Sequence, residues 1–140
     1  MSQPVFLDAS AWVAVANRND QNHNESVRTY RRLLGSSTRL ITTTWTAYEA
    51  LTIVKSRLGF SQAEKVWDRI NSRAVVDLVQ VDQRIEKSAL ELFWRYEDKT
   101  WGVVDCSSLI VMKALRCRQA FALDRHFVEA SRQFGFTVVK

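Results

Sequence analysis

The chain has 140 residues, a formal charge of +5 and an isoelectric point near 9.6; that is about one domain, large enough to bury a core without disulfides or a structural metal. No apolar run approaches the ~20 residues of a membrane span, and the opening MSQPVFLDAS lacks the charged and apolar regions of a signal peptide, so a cytoplasmic protein with no membrane partner is expected. The basic balance suits a polyanionic partner, while Cys106 and Cys117, placed in one predicted helix ~16 Å apart, can neither pair nor match a zinc spacing.

In chain order, Val5, Phe6 and Leu7 read as a short buried strand ending at Asp8, and residues 10–16 as a short helix. The asparagine-rich cluster 17–24 reads as a loop offering caps to a helix over about 25–34. That helix carries Val27, Tyr30, Leu33 and Leu34 on one side, Arg28, Arg31 and Arg32 on the other, and stops at Gly35. A second strand is expected over 40–43, then a helix capped by Thr44 or Thr46 and stopped by Gly59. Its apolar stripe is Ala47, Leu51, Val54 and Leu58, with Glu49 off the stripe in the first turns. Ser61–Gln62–Ala63–Glu64 has capping-box spacing for a helix to about residue 71. Residues 75–81 read as a third strand, and Asp82 as the cap of a helix through Ile85, Ala89, Leu92 and Phe93.

Asp105 follows a short apolar run and opens a helical stretch containing Leu109, Ile110, Val111, Met112, Ala114 and Leu115. Asp124 closes the strand-like run Ala120–Phe121–Ala122–Leu123. A helix over 127–134, ended by Gly135, and a strand over 136–139 complete the chain. The expected fold is a single α/β domain over 1–140, with a parallel sheet of about five strands and helices on both faces.

In an open parallel sheet, ligands bind beyond the carboxyl ends of the strands. Asp8 and Asp124 end strands, Glu49 stands early in a helix after a strand, and Asp105 opens a helix. If the first and fourth strands are neighbours, all four acids reach one patch. Clustered carboxylates repel one another unless something positive lies among them. Oxygen-only donors suit Mg2+ or Mn2+, which can activate water against a phosphodiester.

These residues resemble the PIN domain, and most closely its VapC-like toxin branch. The likeness rests on Asp8–Ala9–Ser10 after a strand, Glu49 within TAYEALT, Trp101–Gly102–Val103–Val104–Asp105–Cys106–Ser107–Ser108, and Ala122–Leu123–Asp124–Arg125–His126–Phe127. It spans nearly the whole chain. The resemblance implies a Mg2+- or Mn2+-dependent endoribonuclease acting on single-stranded or loop RNA and leaving 5′-phosphate and 3′-hydroxyl ends. Asp8, Glu49 and Asp105 would be the principal catalytic and metal-binding acids, Asp124 the fourth, often through water, and Ser10 a hydroxyl supporting Asp8. It further implies a homodimer and a cognate antitoxin that lays a segment into the acidic pocket. Where some branches add another acid, this chain has Cys106, Ser107, Ser108 and Leu109, so a five-acid site is not expected.

Taken singly, Asp8, Asp105 and Asp124 read as helix caps and Glu49 as a solvated helix residue; their joint arrangement favours the nuclease. His126 reads as a surface or capping residue, not a general base. Trp67 and Trp94 read as core or dimer interface. Trp12, Trp45 and Trp101 each fall near a site acid, where packing is the default and base stacking the alternative. The basic residues, spread over several helices, read mostly as a solvated face, with a minority available to an RNA backbone. The alternatives are a PIN-like RNA- or protein-binding module without catalysis and a housekeeping RNA-processing nuclease. A receiver domain is rejected: Asp8 is followed by Ala9, only Asp82 lies near the third strand, and Lys140 is terminal.

Overall fold

The apolar run before Asp8 becomes the central strand. In a computed structural model, which describes residues 3–139, β1 (Val5–Leu7) lies between β2 (Leu40–Thr43) and β4 (Gln119–Phe121). β3 (Val76–Val79) pairs outside β2 and β5 (Thr137–Val139) outside β4, giving the order β3-β2-β1-β4-β5 with every pairing parallel. Parallel neighbours need crossovers, and seven helices among the described residues supply them. Met1, Ser2 and Lys140, which entered the readings of the amino terminus and of the receiver-domain alternative, lie outside the described residues.

Alternation along β1 divides the core. Val5 and Leu7 face the helices α1 (Ala9–Ala16), α2 (His23–Gly35), α3 (Thr44–Leu58) and α4 (Phe60–Ile70), through Trp12, Leu33, Ala50, Val54 and Val66. Phe6 faces the opposite way, with Ile41 and Ala120, against Val111 and Met112 of α6 (Val103–Ala114) and Phe127 of α7 (Arg125–Phe134). α5 (Gln83–Arg95) packs on α6 through Ala89, Leu92, Cys106 and Leu109. The sheet is therefore covered on both faces, as a parallel sheet must be.

Local boundaries depart from the sequence reading in four places. Thr43, not Thr44 or Thr46, caps α3, accepting from Thr46 N at 3.1 Å. The helix after it starts at Phe60, so Ser61 and Glu64 form no capping box; Gly59, at φ 94° and ψ 174°, turns the chain there without a side-chain cap. Only glycine adopts that conformation cheaply, and the turn overrides the local motif. No side chain of the asparagine cluster caps α2. Cys117 lies beyond the end of α6, so the two cysteines, both free and buried, do not share a helix. Asp82 does cap α5, accepting from Ile85 N at 2.9 Å. No helix among the described residues is long and apolar enough to cross a membrane.

Candidate active site

The strand order reverses direction between β1 and β4: the chain runs outward from β1 through β2 to β3, then returns to β1's other side. A crevice opens there beyond the strands' carboxyl ends. Asp8 leaves β1 directly into that crevice. As the cap of α1 it accepts at Oδ2 from Ser10 N (3.2 Å) and from Ser10 Oγ (2.7 Å). The Ser10 hydroxyl also accepts from Leu123 N at 3.0 Å, so one oxygen ties the end of β1 to the loop after β4 that carries Asp124. Asp124 caps α7, accepting at Oδ1 from His126 N at 2.8 Å.

The other two acids arrive on helices. Glu49 stands on α3, which begins at the carboxyl end of β2. Asp105, in the first turn of α6, accepts at Oδ2 from Gly102 N at 3.1 Å. Buried hydroxyls hold these helices together: Thr46 Oγ1 lies 3.2 Å from Ser108 Oγ and accepts from Thr43 Oγ1 at 3.0 Å, while Ser108 Oγ donates to Val104 O at 3.1 Å.

The carboxyls feel one another. Asp8 is 5% exposed; burial, countered in part by the Ser10 hydroxyl and reinforced by the charge of Asp105, raises it to about 6. Glu49 rises to about 7, first through partial desolvation and then through Asp8, Asp105 and Asp124. Asp105 is raised by burial and by Asp124, against the Gly102 N–H and His126. Glu49, on an exposed stretch of α3, is the acid that water screens best.

The reading of His126 as a surface or capping residue misses its position. Its Nδ1 stands 3.4 Å from Asp124 Oδ1 and 3.6 Å from Asp105 Oδ2, and its Nε2 meets Thr100 Oγ1 at 3.2 Å. It is a half-buried wedge between two acids. The only sequence signal was its place two residues after Asp124, which says nothing of α6. Of the tryptophans, Trp12 and Trp101 are buried in the core, Trp45 and Trp67 half-buried, and Trp94 exposed on α5. Of the two places read for Trp94, core or dimer interface, its exposure excludes the core.

Asp8, Glu49 and Asp124, with Ser10, Asp20, Asn22 and Arg57, line a cavity of about 270 Å3. A larger cleft of about 680 Å3, bordered by Arg18, Arg31, Lys65 and Arg69, has no acid among its lining residues, so size does not locate the chemistry. Among the described residues, no three His, Cys, Asp or Glu side chains cluster tightly enough to hold an ion by direct bonds alone. The donor set is nonetheless oxygen-only and charge-dense. It fits a hard divalent cation that keeps part of its water shell and meets some carboxylates through it.

Residues 5–133 match the PIN domain family. The chain belongs to that family. Among curated proteins, the 23S rRNA-specific endonuclease VapC20 of Mycobacterium tuberculosis, in strains CDC 1551 and H37Rv, is 28% identical over 137 residues, covering 97% of this chain and 98% of that protein. The crystal structure of M. tuberculosis VapC20, described as a sarcin–ricin-loop-cleaving toxin, superposes with a TM-score of 0.79 at 27% identity, over 90% of this chain and 94% of that one. The fold is thus that of a PIN domain, and PIN nucleases as a class work with a divalent metal.

Proposed function

We propose that this PIN domain is a divalent-metal-dependent endoribonuclease and the toxin of a toxin–antitoxin pair. The observation that carries the reading is the convergence of Asp8, Glu49, Asp105 and Asp124 at the crevice between β1 and β4, close enough that neighbouring charges add to burial in raising the proton affinity of Asp8, Glu49 and Asp105. Asp8, Glu49 and Asp105 would hold the cation, Mg2+ or Mn2+, in part through its own water shell, and Asp124 would reach it through water. The chemistry such an ion supplies when bound is activation of water and neutralisation of charge on the leaving oxygen. The chain's own groups fix the geometry: Ser10 holds one oxygen of Asp8, the Gly102 N–H holds one of Asp105, and the hydroxyl clasp between α3 and α6 sets Glu49 against Asp105.

The substrate in this reading is an unpaired or loop segment of RNA, and the sarcin–ricin loop of 23S rRNA, named for the relative, is its first candidate. The anionic crevice suits an antitoxin segment that presents a cation such as arginine. Leu90 and Trp94, exposed one turn apart on α5, offer apolar surface for a second copy. Incubating purified protein with ribosomal RNA and Mg2+ and sequencing the new ends tests the reading. Internal cuts with 5′-phosphate and 3′-hydroxyl ends, abolished by chelation, are expected. RNA binding without any cut at saturating metal would identify a non-catalytic module instead.

A further inference from the structure

We propose that the outer face of α3 beside Glu49 is a subsite for one unpaired nucleobase of the RNA strand, with Trp45 and Tyr48 as its stacking surface. The proposal rests on the ribonuclease reading above. Trp45, Tyr48, Glu49 and Thr52 stand at i, i+3, i+4 and i+7 and so share one helix face. With Ile53 and Val104 they line an open groove of about 410 Å3. Glu49 and Ile53 also border the acid-lined cavity, and Val104 immediately precedes Asp105. Groove and acid crevice therefore share a wall, and a strand crossing one lies against the other.

Of the three tryptophans near a site acid, two are spent on the core. Trp12 is 1% exposed and packs edge-on to Tyr30; Trp101 is 4% exposed and packs against Tyr96 and Phe134. Trp45 remains half-buried, and Tyr48 beside it is 52% exposed. The Thr52 hydroxyl donates to Tyr48 O at 2.7 Å, which spends its one donor and leaves it to the groove only as an acceptor. The occupant follows from charge. A phosphate is repelled by nearby carboxylates wherever no cation bridges them, whereas a base is uncharged and brings a π face to aromatic rings. A second protein copy seated here would cover Glu49 and close the crevice to its own substrate.

The test uses the full chain with Asp105→Asn, which on the ribonuclease reading should bind without cutting, and a short single-stranded oligoribonucleotide carrying a fluorophore. Two versions are compared, one intact and one with a single abasic position moved stepwise past the cleavage site. Trp45→Leu and Tyr48→Leu should each weaken binding of the intact strand by about 5- to 150-fold. They should have little effect on the strand abasic at the subsite, and Trp45→Phe should retain most of the affinity. Equal losses for intact and abasic strands at every position, or no loss, would overturn the subsite. So would unchanged RNA binding accompanied by a shift of sedimentation from dimer to monomer, which assigns the face to a second copy. If protein with Asp105 intact cuts RNA while the Leu variants bind and cut normally, only the subsite fails. If no form binds or cuts RNA, the ribonuclease reading fails with it.

Discussion

Thr46 Oγ1 and Ser108 Oγ lie 3.2 Å apart in the core, joining the helix that carries Glu49 to the helix whose first turn carries Asp105. Each hydroxyl is three residues from its acid, so the bond acts as a spacer for the site. Ser108→Ala leaves the Thr46 hydroxyl only its Thr43 partner and should cost about 1–2 kcal/mol of stability. Cleavage should fall at least several-fold at a temperature where the variant is fully folded. Thr46→Val combined with Ser108→Ala should cost little more than the worse single change, as denaturant melts and cleavage rates would register.

Ser10 makes a second positioning prediction. Removing its hydroxyl deprives Asp8 of its shortest hydrogen bond and Leu123 N of its acceptor. Ser10→Ala should therefore raise the Mg2+ concentration needed for half-maximal cleavage roughly tenfold or more, an effect of about 1–2 kcal/mol. Ser10→Thr, which keeps an oxygen there, should recover part of it. A Mg2+ titration of initial cleavage rate reads both.

Proton linkage gives a third. Folding raises Asp8 from 3.8 to about 6 and Glu49 from 4.5 to about 7. The unfolded chain thus releases these protons at lower pH than the folded one. Their contribution to stability is fully present below about pH 4 and is lost as pH rises through about 6 to 7. In chelator, Asp8→Asn should be more stable than the parent at pH 8 by on the order of 2 kcal/mol, roughly 5–10 °C in Tm, and nearly equal to it at pH 4. The amide keeps the α1 cap while removing the charge. Mn2+ should raise the parent's Tm at pH 8 and scarcely at pH 4; thermal melts at both pH values with and without metal decide it.

Much of this was legible because strand ends and helix starts share one edge of a parallel sheet. Asp8 and Asp124 read as caps and as candidate site acids; both do cap helices, and the turn from strand to helix that demands a cap also delivers the carboxyl to the crevice. What stayed hidden depended on tertiary neighbours. The Ser61–Glu64 spacing looked like a helix start, but Gly59 had already turned the chain. The amphipathic pattern of α5 left Trp94 between core and dimer interface, and at 75% exposed it is not in the core. His126 and the Thr46–Ser108 clasp each join residues distant in sequence, where no periodicity points.

The most direct measurement of the central claim is anomalous scattering from a crystal of the active protein soaked in Mn2+. The account predicts a manganese peak within the crevice, touching or water-bridged to carboxylate oxygens of Asp8, Glu49 and Asp105, and absent from crystals of Asp105→Asn. A preparation that cuts RNA in Mn2+, yet shows no manganese among these acids at saturating concentration, would contradict it.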